Sequence, residues 1–517
     1  MCPHTLRLLK KYITLQPKIL RFISKDMKNL KVCIAGLLLA ATATTAQAGG
    51  ILTNTNQSID FLRNPARDGA IGLDGVYSNP AGVAFMPQGL HLAFNWQYAH
   101  QTRTVESTNP LFAFGAKNSG QTTKTYKGVA DAPIIPSLQA AYNMGDWSFQ
   151  FNFSVPGGGG KCEFADGLGS FESVVGSIGQ QLKPLGATGN YDMDGYMQGK
   201  QYYFGFQLGA AYKVMPDLSI YAGLRLLYGT ANYKAKISNI MVGTAAGNVP
   251  FGTFIDNAIA NIDQQIAQGQ AAAQAGLIAP EQAQAMLAQA NGAKQQLNTL
   301  QVYRNGVNLQ CDQTGLGIAP VLGIDYRIGR FNFALKYDFK VPMQMKNKSS
   351  LNEASEIAAV NKFRDGEKVD EDSPALLSVG AQWSVIDNVR VNLGYHLFFD
   401  KSANWYGDTQ KLLKGNTNEF LGGAEWDINE HLTISGGVQF TRYQLSDDYM
   451  NDMSFVTPSY SFGFGAKYKI NKTVSLGAAY FQTNYEHYKK VTSETPLVMD
   501  DFTRTNRVLG LSCELAL

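Results

Sequence analysis

Charge is scarce in this sequence. Asp, Glu, Lys and Arg make up 16% of its 517 residues, against about 25% in soluble domains. The formal net charge is +3 and there is no basic block, so a nucleic-acid binder is not expected. Beyond Ala48 there is no apolar run of about 18 residues, which excludes a transmembrane helix from that part of the chain. The six histidines show no i, i+4 pair and no cysteine at ligand spacing, so neither a metal site nor a cofactor is expected. Gly-x-Ser-x-Gly, a phosphate loop and a carboxylate pair in a supporting context are also missing, and the chain reads as a non-enzyme.

What is present begins with an export signal. Met27-Lys28-Asn29-Leu30-Lys31 is a short positive region, Val32 to Ala43 is apolar, and Ala46-Gln47-Ala48 is a small-residue cleavage site. Residues 27–48 thus read as a signal peptide, and the mature chain is expected to begin near Gly49. Residues 1–26, basic and without an apolar run, read as a non-native extension ahead of the true start. Three cysteines follow the signal, Cys162, Cys311 and Cys513. In an oxidising compartment they permit one disulfide, Cys162 with Cys311, because both fall in expected outer loops.

The main signal is alternation of period two. In 331–341, Phe331, Phe333, Leu335, Tyr337, Phe339 and Val341 alternate with Asn332, Lys336, Asp338 and Lys340. The stretches 389–399 and 460–470 do the same, as do 147–155, 202–214 and 432–440. An all-helical fold cannot produce this repeatedly. A soluble sandwich or a membrane barrel can, and three features favour the barrel. Aromatic residues crowd the apolar face near strand ends, the opposite face is Gly, Ser, Asn and Gln, and short and long connections alternate. Short turns fall at 144–146, 215–217, 328–330, 386–388, 429–431 and 471–472. Long connections fall near 104–132, 157–199, 237–312, 347–372, 402–416, 446–457 and 488–500. Counting around them gives about fourteen antiparallel strands over 89–517, an even number, with both ends periplasmic. The expected fold is an all-β transmembrane barrel. In its last strand Leu509, Leu511, Cys513, Leu515 and Leu517 share the lipid face.

Residues 49–88 precede the first strand and lack its pattern. They carry Ile51, Leu52, Ile59, Phe61, Leu62, Ile71, Leu73, Val83 and Phe85. That content favours a plug inserted in the barrel over a solvated periplasmic tail. The segment ends in Asn79-Pro80-Ala81-Gly82 just before strand one. A signal, a Gly-rich N-terminal segment with this motif and about fourteen strands together resemble the FadL-type outer-membrane transporters of long-chain fatty acids and other hydrophobic compounds. The resemblance spans essentially the whole mature chain.

The resemblance implies a hatch gated around Asn79, Pro80, Ala81 and Gly82. It also implies ligand capture between outer loops, a deeper pocket, and lateral exit into the membrane through a kink in strand three. Here strand three runs Trp147, Phe149, Phe151, Phe153, Val155 and then meets Pro156-Gly157-Gly158-Gly159-Gly160. Pro156, Gly157 and Gly158 are the candidate break; equally, the glycines could open an outer loop. In the longest loop, 237–312, Phe251, Ile255, Ile259, Ile262 and Ile266 recur at helical spacing, and Pro280 opens a second helix. They read as a lid with an apolar ligand groove, or as helices packed on each other and the rim. Arg225, Asp325, Arg327, Lys336, Asp338, Arg390, His396, Glu419, Glu425, Lys467 and Lys469 point inward. They read as ion-pair networks anchoring a plug; alternatively Arg225 or Arg390 meets a ligand carboxylate.

The expected function is passive uptake of hydrophobic molecules, first among them long-chain fatty acids, with aromatic hydrocarbons and hemin as other partners. A general porin and a surface receptor are the rival readings. A monomer in outer-membrane lipid is expected.

Overall fold

The computed structural model describes residues 54–351 and 357–517. The signal peptide and the 1–26 segment lie outside the described residues. Eighteen strand segments form one sheet whose first and last members pair with each other. All but Gly247–Pro250, a short arm paired back on the end of Leu218–Thr244, join end to end into the fourteen staves of a closed antiparallel barrel. The first six are β1 (Gly89–Thr108), β2 (Thr123–Met144), β3 (Trp147–Phe164), β4 (Ala187–Met215), β5 (Leu218–Thr244) and β6 (Val307–Ile328). Two interrupted staves follow, β7 (Phe331–Asp338, then Gln344–Leu351) and β8 (Lys368–Asp370, then Leu376–Ile386). The remainder are β9 (Val389–Phe398), β10 (Thr417–Asp427), β11 (Leu432–Arg442), β12 (Ser459–Lys469), β13 (Val474–Tyr485, then Tyr488–Glu494) and β14 (Leu497–Ala516). Pairing of β1 with β14 closes the sheet, so neither end strand is left as a free edge.

The short turns stand where the alternation puts them. The first strands, however, are longer than the sequence implies. β4 has 29 residues and β5 has 27, whereas about 9–11 suffice to cross a bilayer. Much of what reads as loop at 104–132 and 157–199, and both ends of 237–312, is therefore a strand wall standing above the membrane. There the sorting turns over: Tyr191, Met197, Tyr233 and Ile237 point inward and are buried under the outer helices, while Asn232, Lys234 and Lys236 beside them face outward.

The radial sorting of side chains inverts that of a soluble protein. Leu208, Leu316, Leu393, Phe464 and Leu511 point outward and are exposed, as is Leu509, and Cys513 on the same last strand is half-buried. Gln139, Asn152, Gln207, Ser219, Asn332, Ser378 and Asn392 point inward and are buried. Near the short turns the outer face carries aromatic clusters. Trp147 packs on Tyr212 with ring centroids 4.7 Å apart, and Phe331 stacks on Trp383 at 5.8 Å. Such a surface is solvated by lipid, with an aromatic girdle at the interface.

Residues 54–88 fill the lumen. Ser58 caps helix α1 (Ile59–Arg63), its Oγ accepting from Phe61 N at 3.1 Å. A second short helix, α2 (Gly75–Ser78), and a 3₁₀ turn at Gly82–Phe85 follow. Ile59, Phe61, Leu62 and Ala66 pack against Ala99, Leu421, Phe481 and Val508 of the wall. Inward glycines let the hatch approach this closely: a Cβ on Gly463 would lie 2.0 Å from Leu62 O, and one on Gly69 2.6 Å from the Ala381 backbone. Three helices lie in the outer loops, α3 (Gly169–Gln181), α4 (Phe251–Gln274) and α5 (Pro280–Leu300).

Candidate transport site: hatch, cavity and wall gap

Each residue of the Asn79-Pro80-Ala81-Gly82 motif makes a defined contact. Asn79 Nδ2 donates to Asp325 Oδ2 of β6 at 2.6 Å and to Ala70 O at 3.2 Å, while its Oδ1 accepts from Gly82 N at 3.2 Å. Pro80 O accepts from Gln150 Nε2 at 2.7 Å, and Ala81 O from Ser219 Oγ at 2.6 Å. A Cβ on Gly82 would meet Asn79 Nδ2 at 2.4 Å and Asp325 Oδ2 at 2.9 Å. The motif thus pins the hatch to strands β3, β5 and β6 through groups that only this local geometry presents.

The inward charges form hatch-to-wall networks. Glu425 Oε1 takes both Arg63 (3.0 Å) and Arg67 (2.8 Å), and Arg67 also pairs with Asp74. Lys467 bridges Asp60 of the hatch (3.0 Å) and Glu514 of the wall (2.6 Å). His396 links Asp68 (3.0 Å) to Glu419 (2.9 Å). Lys336 donates to Tyr77 O at 2.8 Å and Arg327 stacks on Phe85 at 3.9 Å. Lys469 is exposed at the rim. The two arginines expected as carboxylate contacts are engaged elsewhere. Arg225 pairs with Asp338 at 2.7 Å, bonds Gln207 and lies over the Tyr77 ring. Arg390 is bidentate on Asp427 at 2.6 and 2.9 Å. Arg225 thus braces the wall beneath Tyr77, and Arg390 ties Asp427 and Glu425 of β10, so the charge of each is already balanced by protein carboxylates.

The third strand breaks, but not at its outer end. The glycine run opens no loop: β3 passes through Pro156 and Gly160 and continues to Phe164. Along β2 and β3 the ladder pairs Leu138 with Phe153 and, higher, Ala130 with Cys162. Between these, no pair joins 131–137 to 154–161 among the described residues. Both sides have a cause. β2 carries Pro133 and Pro136, which lack a donor, and β3 carries Pro156 and the glycines. Each strand keeps its other neighbour, with irregularities at Gln97/Ala99 and around Gly157. The result is a gap in the wall.

The start of the hatch sits in that gap. Asn54 N donates to Pro156 O at 2.7 Å. Gln57 Oε1 accepts from Val155 N at 3.1 Å, its Nε2 reaches Val155 O at 3.4 Å, and its own carbonyl accepts from Ser137 Oγ (2.6 Å) and Gln139 Nε2 (3.0 Å). One glutamine thereby bridges the two parted strands. Behind it lies a cavity of about 160 Å³. Ile135, Val155 and Gly158 line its gap side; Phe481, Tyr485 and Arg504 line it farther in. Sequence reading missed Gln57 and the β2 prolines. Two prolines three apart inside an otherwise strand-like run were the available signal.

Two expectations about the outer loops are corrected. The groove residues Phe251, Ile255 and Ile262 are buried, and Ile259 and Ile266 pack against them, in a core shared with Val175, Ile178 and Leu182 of the α3 region and Leu297 of α5. The amphipathic spacing serves packing on the rim rather than an open ligand groove. Cys162 and Cys311 are free thiols. They share a row, but Cys162 faces Gly199, Gly199 faces Tyr233 and Tyr233 faces Cys311. Three strand spacings are about 14 Å, too far for a disulfide.

The outer cap is tied down at Glu172 of α3, whose carboxylate accepts from Lys124 (2.7 Å), Tyr126 (2.5 Å) and Tyr191 (3.2 Å). Burial alone would raise this carboxyl. Hydrogen bonds from Lys124, Tyr126 and Asn118, with the Lys124 charge, outweigh it and hold the group below its ordinary range.

No sequence-family model and no curated protein matches the chain. Solved structures do. A FadL homologue from Pseudomonas aeruginosa aligns over 90% of this chain and 99% of its own, with a TM-score of 0.58 at 12% identity. The chain has the FadL-type fold. Two structures of the Pseudomonas putida toluene transporter TodX align as well. One covers 89% of this chain and 99% of TodX with a TM-score of 0.52 at 13% identity. The other covers 86% and 94% with 0.51 at 14%. Within the FadL-type fold the hatch, the cavity and the parted third strand of this chain form one continuous arrangement.

Proposed function

We propose that the chain is an outer-membrane channel for passive uptake of hydrophobic molecules, with exit sideways through the β2–β3 gap. The observation that carries this reading is the gap itself, backed by a cavity and closed by Gln57 of the hatch. A polar solute gains nothing from a hole that opens on lipid, whereas an apolar one leaves down its partition gradient. The plugged lumen counts against a general porin. Long-chain fatty acids are the first substrate class, and the TodX likeness supports monoaromatic hydrocarbons as the second.

A covalent block in the gap tests this. Ile134 lies in the unpaired stretch of β2 and is exposed on the outer face; Phe333 is exposed on the opposite wall. In a Cys513→Ser background, a bulky maleimide on Ile134→Cys should stop uptake of oleate and toluene by whole cells, while the same label on Phe333→Cys should not. Equal uptake from both labelled proteins would overturn lateral exit.

A further inference from the structure

Above its apolar band, one side of the barrel turns a basic face outward. On β4 the outward residues Leu208, Phe206 and Tyr202 are followed by Lys200. On β5, Leu224 and Tyr228 are followed by Lys234 and Lys236, and on β7, Leu335 and Phe339 by Lys346 and Lys348. Lys161 of β3 and Lys368 of β8 stand at the two ends of the patch. The register sets two like pairs directly opposite each other, Lys161 against Lys200 and Lys346 against Lys368. Like charges so placed repel. The outward acids at this level are already engaged. Glu163 pairs with Lys161, and Asp192 and Asp194 with Lys117, while Asp312 accepts from Asn232 and Asp370 from Gln344. Lys200, Lys234, Lys236, Lys346, Lys348 and Lys368 form no ion pair or hydrogen bond among the described residues. Elsewhere on the outer wall charges meet in opposite pairs, as His100 with Asp131 and Arg442 with Glu486.

Resting on the outer-membrane reading above, and independent of what the channel carries, we infer that these six lysines form a docking surface for the phosphates of a phosphorylated glycolipid in the outer leaflet. The level of the lysines points to this occupant. They begin where the lipid-facing side chains stop, so acyl chains lie along Leu208, Leu224 and Leu335 while the head group reaches the ammonium groups. Lysine binds phosphate as a point charge, and its flexible four-carbon stem lets it follow a head group that moves. Phosphates crowded in a lipid layer repel one another and need cations between them; ammonium groups fixed on the wall supply that charge to the lipid beside it. The spacing fits a sugar pair phosphorylated at both ends. Lys234 and Lys236 on β5 face Lys346 and Lys348 on β7 across two strand spacings, about 10 Å. Between them β6 presents Thr314, Gln310 and Asn308 outward and exposed, neutral groups suited to sugar hydroxyls.

The test uses the full chain purified from outer membranes in detergent, with EDTA present so that divalent cations cannot bridge. The two probes are a diglucosamine lipid phosphorylated at both ends and the same lipid with both phosphates removed, and native mass spectrometry reads their binding. The wild type should bind the phosphorylated lipid about tenfold more tightly or better, and lose that preference as salt approaches about 1 M. Lys234→Gln/Lys236→Gln and Lys346→Gln/Lys348→Gln should each weaken binding of the phosphorylated lipid about tenfold and leave the dephosphorylated lipid unaffected. Both should keep the heat-modifiable migration of the wild type, since these side chains bond to nothing in the protein. Lys469→Gln/Lys472→Gln takes the same charge from exposed positions near the short turns and should change nothing. Equal binding of the two lipids by the wild type, wild-type affinity in both outer variants, failure of those variants to assemble, or an equal loss in the short-turn control would each overturn the surface. If the wild type does not fractionate with outer membranes, the membrane reading fails and the surface with it. If it does, and the two lipids bind alike, the surface alone fails.

Discussion

The side-chain amide of Gln57 stands where a strand partner of Val155 would be, accepting from its N–H at 3.1 Å and reaching its carbonyl at 3.4 Å. Opening the wall therefore requires no breakage of a strand ladder, only release of Gln57, whose carbonyl also holds Ser137 and Gln139, and of the Asn54 contact. Gln57→Ala leaves the Val155 backbone groups without partners, a penalty of about 1–3 kcal/mol on the closed state. Amide exchange at Val155 should accelerate by tenfold or more, while Phe151 and Phe153, which stay paired with β4, keep their protection. Unchanged exchange at Val155 would mean that Gln57 does not hold the gap.

The Asn79–Asp325 contact is the second latch. Asn79→Asp would set two carboxylates about where an amide and a carboxylate now meet at 2.6 Å. Charge repulsion in a poorly solvated lumen should undock the motif. Single channels in planar bilayers should then show larger or more frequent conductance steps than the wild type. Gly82→Ala, which forces a Cβ against both groups, should give the same phenotype by sterics alone. Wild-type conductance from both variants would remove the motif from any gating role.

Glu425 is the hub of the anchoring network because two hatch arginines converge on one of its oxygens. Glu425→Ala strands part of that charge and should weaken hatch docking by about 3–5 kcal/mol. Because Glu425 lies on a wall strand whose ladder is backbone-bonded to both neighbours, the barrel should still assemble. The expected result is normal heat-modifiable migration with rapid proteolysis of 54–88 from the periplasmic side. Intact protection of the hatch would show that the other latches suffice.

The barrel was legible because lipid on one face and a packed lumen on the other impose a period of two, as in Phe331 to Val341. The plug was legible from its apolar content, and Asn79 to Gly82 from their place before strand one. Three things were not. The tall outer wall of β4 and β5 turns its apolar residues inward under the cap, as at Tyr233 and Ile237, so its pattern reverses that of the lipid-facing part. The gap depends on Pro133 and Pro136 of β2 and Pro156 of β3 falling in the same unpaired stretch, a relation between strands that one strand's pattern cannot show. The engagement of Arg225 by Asp338 and of Arg390 by Asp427 is decided by which acids the register brings near each. Along the chain an arginine matched in this way looks like any other.

Two carboxyls of the outer cap should titrate in opposite senses. Glu172 is held below its ordinary value, so its stabilisation is complete above that value, about pH 4, and is lost as the pH falls through the lower folded value. Asp452, in the loop after β11, is pushed up to about 6 by burial, with the charge of Asp500 adding to it, although it accepts from Ser170 N at the start of α3 at 2.8 Å. A carboxyl raised on folding destabilises as it ionises, so stability should decline from about pH 4 to pH 6 and then level off. Asp452→Asn keeps an oxygen for Ser170 and removes the charge. It should stabilise the protein at pH 7.5 by on the order of 1–2 kcal/mol and have no effect near pH 4. Unfolding temperatures of the two proteins at both pH values measure this directly; a gain of equal size at pH 4 would show that the effect comes from packing and not from the buried charge.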